Sequence, residues 1–442
     1  MFELLFKLSD NQTSIRQEII GGCTTFLTMS YIIFMQPIML SSTGMDFGAV
    51  MAATCISSAL ACLCMAFLAN YPIALAPAVG LNAYFTYSVC IGMKIPWETA
   101  LGAVFISGVI FLIMNAFGLR KMVMDSIPVS LKFAIAVGIG VMIALLGFEW
   151  SGIVVNDDIT LLKVGELNKP YVWVSGIGLL VAMLLTSLNI RGAILFGIII
   201  ASIAAMGLDL IAVPGAIYQM PSWNMITPTF MHMNPWAALK LGFGTIIFTF
   251  FIIDLFDTVG TLVGVAQVGG FMKNNELPRA KQAFFADAIG TVAGAILGTS
   301  TVTSFVESTS GISDGARTGL ANVVTAILFL LALAFSPLVE MLGQGIKTES
   351  GAFVYPIISP ALIMVGFMMM RGVKHIPWDD YTESLPAFIT IMLIGFSFSI
   401  TDGIAFGVIC FTILKLLTGK VREIHPIMMV LSIIFVYKLS MH

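Results

Sequence analysis

Tyr71-Pro-Ile-Ala-Leu-Ala-Pro-Ala-Val-Gly-Leu-Asn82 and Gly298-Thr-Ser-Thr-Val-Thr-Ser-Phe-Val306 interrupt two long apolar regions of the chain. Pro77 in the first segment has no N–H and clashes with a preceding helical turn, so it does not fit a helix interior. The second segment is β-branched and hydroxylated, a composition typical of a strand, and Glu307 follows it directly. We predict an extended segment leading into a half-helix at both places.

The rest of the chain is too apolar for a soluble protein. Of its 442 residues 58% are hydrophobic and only 10% are charged, whereas an average globular chain has about 25% charged residues. Several apolar stretches reach the roughly 20 residues that cross a bilayer, which predicts an all-α polytopic membrane protein. A net charge of −3 without long Lys or Arg runs argues against a nucleic-acid surface.

The two interrupted segments are expected to lie against each other inside the protein, because exposed backbone is not tolerated in hydrocarbon. The half-helices would present free N–H groups near the midplane, where secondary transporters bind substrate. Asn82 and Glu307 lie at the two predicted helix starts. Both are candidate substrate contacts, and helix capping is the alternative role for each.

Fourteen apolar segments are predicted to be membrane spans. The first seven lie near residues 19–40, 48–69, 73–92, 99–117, 129–148, 171–189 and 193–212. The second seven lie near 237–260, 283–299, 301–313, 317–339, 351–370, 384–399 and 402–418, and a short apolar stretch follows at 424–439. This divides the chain into a first repeat (1–213), a second repeat (236–418) and a C-terminal apolar tail (419–442).

Basic residues predict the orientation of these spans, because cytoplasmic loops retain Lys and Arg. With the N-terminus inside, the inside segments carry Lys7, Arg16, Arg120, Lys121, Lys132, Arg191, Lys273, Arg279, Lys281, Arg317, Arg371, Lys374, Lys415, Lys420 and Arg422. The outside segments carry Lys94, Lys163, Lys169, Lys240 and Lys347. We therefore expect the N- and C-terminal sides to be cytoplasmic.

Seven spans in each half would give the halves opposite orientations. The clearest matched segments are 185–197 and 395–407, which each join the sixth span of a half to the seventh. Inverted repeats are typical of secondary transporters, whose substrate site lies where the repeats meet.

Span 8 adds two acidic residues, Asp254 and Asp257, on one helix face. A mid-membrane carboxylate costs about 2.5–3.5 kcal/mol on insertion scales, so it needs a partner, a proton or a function. Hydrogen bonds to Thr or Ser are the alternative. For Asp287 in span 9, a surface-type ion pair with Lys281 is as good an explanation as a site role. Asp314 and Asp402 at span ends are expected to be solvated or capping residues.

Such a set of side chains suits a planar heterocycle with N–H donors and ring acceptors, because a carboxylate accepts two parallel hydrogen bonds and an Asn both donates and accepts. A carboxylate that binds a proton also supplies a coupling device. Four aromatic residues are candidates for stacking on the ring, with core or lipid-facing packing as the alternative: Phe26, Tyr84, Phe85 and Phe305.

At these residues the sequence resembles the nucleobase–cation symporter-2 superfamily, specifically its adenine/guanine/hypoxanthine permease branch. The similar motifs include Ala74-Leu-Ala-Pro-Ala-Val-Gly-Leu-Asn-Ala-Tyr-Phe85 and Asp254-Leu-Phe-Asp-Thr-Val-Gly-Thr-Leu262. Segments 18–34, 298–308, 315–319 and 382–387 extend the resemblance nearly end to end. Ser313-Asp314 departs from it, because small residues are usual there.

The resemblance implies a uracil-permease-like inverted repeat, with a core domain (spans 1–4 and 8–11) and a gate domain (spans 5–7 and 12–14). It implies purine import across the cytoplasmic membrane by proton symport, without a cofactor, and a homodimer through the gate domains. Its substrate contacts fall on Asn82, Asp254 and Glu307, with Asp257 supporting. Any one of these three carboxylates is a candidate for carrying the coupling proton, and adenine, hypoxanthine and guanine are not ranked.

Other functions make different predictions. An anion exchanger of the same fold should place a basic residue beside the half-helices. A solute channel should show flux without saturation or coupling. A membrane enzyme is disfavoured, because the sequence shows neither a metal cluster nor a nucleophile–base pair.

Overall fold

The computed structural model describes residues 2–117, 127–157, 159–211, 215–241, 246–272, 277–348, 351 and 353–440. The helices of the first half are α1 (Phe2–Phe6), α2 (Ile15–Met29), α3 (Ile32–Ser41), α4 (Phe47–Cys64), α5 (Val79–Ala83), α6 (Trp97–Ala116), α7 (Val129–Trp150), α8 (Pro170–Ser187) and α9 (Ala193–Gly207). Those of the second half are α10 (Pro235–Lys240), α11 (Phe248–Val268), α12 (Ala280–Leu297), α13 (Ser308–Ser313), α14 (Leu320–Ala332), α15 (Ser336–Gly343), α16 (Ser359–Met370), α17 (Tyr381–Ser397), α18 (Ile400–Leu417) and α19 (Pro426–Ser440).

Short helical turns extend several of these helices. Two π-helical turns continue α4 and α5, at Met65–Ala69 and Tyr84–Gly92. The 3₁₀ turns lie at Trp223–Met225, Leu333–Phe335, Arg371–His375 and Val421–Glu423. Side chains fix several starts: Asp46 caps α4, and Ser399 caps α18 by accepting from the Asp402 N–H while donating to its carboxylate. Asp402, for which a solvated or capping role is predicted, lies in the first turn of α18, and the residue in the N-cap position is Ser399.

Three pairs of short antiparallel strands complete the fold. The pairs are β1 (Leu75–Pro77) with β4 (Val302–Ser304), β2 (Val154–Asp157) with β3 (Leu161–Val164), and β5 (Ile346–Lys347) with β6 (Phe353–Val354). The β2–β3 hairpin lies in a predicted outside loop. There Lys163, 2.8 Å from Asp157, holds the pKa of that carboxyl well below its usual range.

The helices and the strand–helix segments of the described chain overlap the predicted span regions, and the count of fourteen crossings stays a prediction. Eight helical segments of the described chain are long and apolar enough to cross a membrane by themselves. Shorter apolar helices cover Ala193–Gly207, Tyr381–Ser397 and Pro426–Tyr437. The last of these, in the predicted tail, packs on α18. Arg120, Lys121, Lys273 and the domain limits at residues 1, 213 and 442 lie outside the described residues.

Helix contacts recur between the two halves. The contact of α2 with α14 corresponds to that of α11 with α6, and the contact of α4 with α14 corresponds to that of α12 with α6. In the same way, the contact of α8 with α9 corresponds to that of α17 with α18, and the contact of α7 with α17 corresponds to that of α16 with α8. The matched segments 185–197 and 395–407 form the turns of the corresponding pairs α8–α9 and α17–α18. This pattern is that of an inverted repeat.

Small residues allow the closest contacts across the repeat. A Cβ on Gly366 would lie 2.5 Å from the Gly140 carbonyl oxygen, so α7 and α16 approach backbone to backbone. A Cβ on Gly311 would collide with the Gly21 carbonyl oxygen, so α13 and α2 also approach backbone to backbone. Membrane helices use such residues because packing, rather than water exclusion, drives their association.

Candidate functional site

The site is organised around the antiparallel pair of β1 and β4. Leu75 lies opposite Ser304, and Pro77 lies opposite Val302. The pairing extends at both ends, since the Ala78 N–H donates to Thr301 O and the Phe305 N–H donates to Ala74 O, each at 2.9 Å. All six strand residues are buried. The prediction that two extended segments meet inside the protein is confirmed.

Side chains from neighbouring helices satisfy the outer edges of this two-stranded pair. The Cys62 thiol bonds the N–H and the carbonyl of Leu75. Thr291 donates to Val302 O at 3.0 Å. Asn322 donates to the carbonyls of Tyr71 and Ile73 at 3.0 and 2.7 Å. Because an unpaired backbone group in a membrane interior costs several kcal/mol, these helix side chains allow strands to exist at this depth.

Asn82 is the fourth residue of α5 and belongs to a buried polar network. Its amide donates to Gln36 Oε1, and its carbonyl oxygen accepts from the Ser300 hydroxyl. Gln36 in turn donates to Thr299 Oγ1 at 2.8 Å. The N-cap position of α5 is Ala78, so the alternative role of Asn82 as a helix cap is wrong. Its side chain links α3 to the residues that precede β4.

Glu307 lies after β4, in the N-cap position of α13, without a side-chain capping bond. Its Oε1 accepts from the Tyr31 hydroxyl at 2.7 Å. The ring of Phe305 lies beside that of Tyr31, with centroids 6.5 Å apart. Glu307 is 9% exposed, whereas the adjacent Val306 is 43% exposed. The carboxylate is therefore held by a neutral donor at the edge of an accessible surface.

The acidic residues of α11 have Thr and Asp neighbours. Asp257 Oδ2 accepts from Thr303 Oγ1 of β4 at 3.0 Å. Asp254 is fully buried, and its Oδ1 lies 3.3 Å from the Thr258 hydroxyl. The same hydroxyl lies 3.0 and 3.2 Å from the two carboxylate oxygens of Asp287 on α12.

The structure also decides between the alternatives for the other acidic residues. Asp287 is 1% exposed and contacts Thr258, while Lys281 donates to Ala116 O, so a surface-type environment does not describe Asp287. Asp314 occupies the C-cap position of α13, as the capping alternative predicts, but it is not solvated, because its side chain is only 8% exposed. It forms an ion pair with Arg191 in the α8–α9 turn and accepts from Thr24 Oγ1 at 2.5 Å.

The aromatic candidates occupy different places. Phe305 lies at the site, as described. Tyr84 and Phe85 lie in the π-helical extension of α5 and contact Phe250 of α11, with centroids 5.1 and 6.3 Å apart. Phe26 packs edge-on against Phe329 of α14 at 5.2 Å.

The segment from Thr299 to Glu307 connects most of the predicted site residues. It contacts Asn82 through Ser300, contacts Asp257 through Thr303, and ends at Glu307 itself. Asp254 lies one turn before Asp257 and Thr258 on α11. Sequence reasoning missed two residues of this region, Gln36 and Tyr31, and left the role of Asp287 open. A lone amide at Gln36 and a lone carboxylate at Asp287, each inside an apolar span, were the available signals.

A comparison with known families decides what class of protein this site serves. The profile of a family described as the Permease family matches residues 16–406. The chain belongs to the nucleobase–cation symporter-2 superfamily. It is a multi-pass membrane permease rather than an enzyme, and it falls in the adenine/guanine/hypoxanthine permease branch.

Individual relatives of this symporter family cover nearly the whole chain. A permease of Methanocaldococcus jannaschii is 47% identical and covers 98% of this chain and 97% of its own length. The guanine/hypoxanthine permease PbuO of Bacillus subtilis is 40% identical and covers 98% and 99%. The adenine permease AdeP of Escherichia coli is 38% identical and covers 99% and 96%.

Solved structures share the fold of this permease. The transmembrane domain of the cyanobacterial bicarbonate transporter BicA superposes with a TM-score of 0.62 over 89% of this chain and 97% of that domain. Their sequences are 13% identical, so the likeness concerns the fold.

Proposed function

We propose that this protein imports purine nucleobases, namely adenine, hypoxanthine or guanine, by proton symport across the cytoplasmic membrane. The observation that carries the proposal is the arrangement of Asn82, Asp254, Asp257 and Glu307 around one buried strand pair. Carboxylates accept paired N–H donors, and an Asn amide complements an edge that both donates and accepts. The names of PbuO and AdeP support purines as the substrate class.

In this proposal Asn82, Asp254 and Glu307 contact the base, and Phe305 beside Tyr31 offers a ring for stacking. Phe85 and Phe26 are further stacking candidates. One of Asp254, Asp257 and Glu307 takes up the coupling proton. Spans 1–4 and 8–11 move as a core domain against a gate domain of spans 5–7 and 12–14, through which two copies associate. Both termini face the cytoplasm, and the carrier needs no cofactor.

An anion exchanger is the second candidate, because BicA transports bicarbonate on the same fold. The side chains named above argue against it, since carboxylates repel an anionic substrate. A solute channel is the third candidate, and it predicts uptake that does not saturate.

The first experiment measures uptake of labelled adenine, hypoxanthine and guanine in cells that lack their own purine carriers. Each base competes against the others and against uracil, with and without a protonophore. Saturable uptake that the protonophore abolishes would support the proposal. Absence of purine uptake by an inserted protein would favour anion exchange, and linear uptake would favour a channel.

A substitution at Glu307 tests the site itself. Glu307→Gln keeps the shape but removes the charge and one acceptor, so we expect loss of uptake with an unchanged amount of protein in the membrane. Glu340→Gln is the matched control, because Glu340 is exposed on α15. Normal uptake by Glu307→Gln would remove Glu307 from the mechanism. Asp254→Ala should instead raise the KM if Asp254 binds the base.

A further inference from the structure

Two buried carboxylates share one hydroxyl group in the membrane interior. Thr258 Oγ1 lies 3.3 Å from Asp254 Oδ1 and 3.0 Å from Asp287 Oδ2. Thr258 and Asp254 are fully buried, and Asp287 is 1% exposed. The hydroxyl therefore bridges α11 and α12 at a place that bulk water does not reach.

The count of hydrogens at this bridge is informative. A hydroxyl carries one hydrogen, so Thr258 gives a full hydrogen bond to only one of the two carboxylates, and a shared hydrogen would give two weaker ones. Its contact with the other carboxyl is a full hydrogen bond only if that carboxyl is protonated and donates to the Thr258 oxygen. Two ionised carboxylates around one hydroxyl would instead repel each other at low dielectric.

We propose that Asp254 and Asp287 hold one proton between them through Thr258, and that Asp287 is a proton-coupling residue of the transporter. This rests on the proposed function, in which Asp254 contacts the base. An N–H of the base that donates to Asp254 stabilises its ionised form and moves the shared proton toward Asp287. The proton enters from the outside solution and leaves to the cytoplasm. The base itself is transported without any change in its covalent bonds.

Other titratable groups lie on the elements around this bridge. On the side of Asp287 they are Lys281 on α12, Glu98 on α6, and Cys55 and Cys62 on α4. On the side of Asp254 they are Asp257 on α11, Glu307 beside α13, Tyr84 after α5 and Asp402 on α18. Asp257 accepts from Thr303, Glu307 from Tyr31 and Asp402 from Ser399, and Lys281 donates to Ala116 O. These bonds are separate from the Thr258 bridge, although Asp257 also interacts electrostatically with Asp287. Helix α7, which packs on α11, carries Lys132 and Glu149 near its two ends.

The experiment separates coupling from substrate binding in the full-length protein in proteoliposomes. Counterflow of labelled purine without a gradient measures binding and exchange. Accumulation driven by an imposed pH gradient measures coupling. For one proton per base, a gradient of one pH unit supports about tenfold accumulation, since a factor of ten corresponds to about 1.36 kcal/mol.

Asp287→Asn and Thr258→Val are the test variants, and Thr258→Ser, which keeps the hydroxyl, is the matched control. We expect both test variants to retain counterflow but to equilibrate the purine instead of accumulating it, with a flattened pH profile of uptake. Thr258→Ser should accumulate purine like the unmodified protein. If Asp287→Asn fails to reach the membrane, Thr258→Val alone decides.

Two results would overturn the inference. One is accumulation with an unchanged pH profile in the test variants, and the other is an equal loss of counterflow and accumulation, which indicates a structural role. Absence of purine counterflow in the unmodified protein would instead overturn the proposed function, so the two failures are distinguishable.

Discussion

Tyr31 is the donor that positions the Glu307 carboxylate. Tyr31→Phe removes a 2.7 Å bond to a charged acceptor while keeping the ring beside Phe305. Hydrogen bonds to charged groups contribute about 1.5–3 kcal/mol, so we expect KM to rise by roughly 10-fold to 100-fold without loss of protein from the membrane. Uptake kinetics measure this. Tyr71→Phe, another buried Tyr, is the control, and an unchanged KM for Tyr31→Phe would contradict the positioning role.

A second residue, Glu18, has a structural role. Uptake measurements alone would not distinguish this role from a role in transport. Its fully buried carboxylate accepts backbone N–H bonds from Arg317, Thr318 and Ala321 at the start of α14. Removing such a charged cap costs about 2 kcal/mol, so Glu18→Ala should lower the Tm in detergent. An unchanged Tm would show that the cap is dispensable.

The site residues that sequence predicted differ from those it missed for a physical reason. Carboxylates at Asp254, Asp257 and Glu307 are costly in a membrane wherever they lie, so their presence alone predicts a role. Gln36 and Tyr31 are recognisable as site residues only from their hydrogen bonds, Gln36 with Asn82 and Tyr31 with Glu307. The fold brings these partners together from distant parts of the sequence.

The ion pair of Asp287 with Lys281 was one of two alternatives from the sequence, and the structure instead places Asp287 beside Thr258, since helix neighbours are three or four residues apart. A spacing of six turns the two side chains to different faces.

The strand pair depends on donors from helices outside it. Asn322 supplies two hydrogen bonds to backbone carbonyls just before β1. Asn322→Leu leaves both carbonyls without this donor, at about 1–3 kcal/mol for each buried group, so we expect a lower Tm and reduced uptake together. The control is Asn115→Leu, because Asn115 makes one such bond, to Lys281 O. An equal or smaller loss for Asn322→Leu would contradict the argument.

At this scale the sequence predicted the extended segments and most helix limits, since Pro77 and the hydroxylated run at 299–304 are local signals. It did not predict that span 1 divides into α2 and α3 at Ser30 and Tyr31, where neither Gly nor Pro occurs. Nor did it predict the π-helical turns, because backbone hydrogen-bond register leaves little trace in composition.

The pair of Arg191 and Asp314 joins α8–α9, in the predicted gate domain, to the end of α13, in the predicted core domain. If these domains move relative to each other, the pair must break. Arg191 is 58% exposed, so the pair contributes at most about 1 kcal/mol. We expect Arg191→Ala to speed purine exchange by up to about fivefold. Arg191→Lys is the control that keeps the charge, and an unchanged rate for Arg191→Ala would show that the pair does not hold the resting state.

The whole-molecule architecture was largely readable from the sequence. Long apolar stretches predicted the positions of the spans, and the matched segments 185–197 and 395–407 indicated the repeat. Packing between repeats was not readable, because it depends on which small residues meet, as Gly140 and Gly366 do.

The pairing of β1 with β4 also constrains the order in which parts of the chain can fold during synthesis. The Ala74 N–H donates to a hydroxyl 234 residues later in the chain, at Ser308. At about 5–20 residues per second, a ribosome needs roughly 10–50 s to make the intervening chain. During that interval β1 must wait without its partner strand, sheltered from lipid by the insertion machinery or by the helices already made. The candidate site therefore cannot form before β4 is made, and a ribosome stalled between the two strands would leave a half-inserted chain with no site at all.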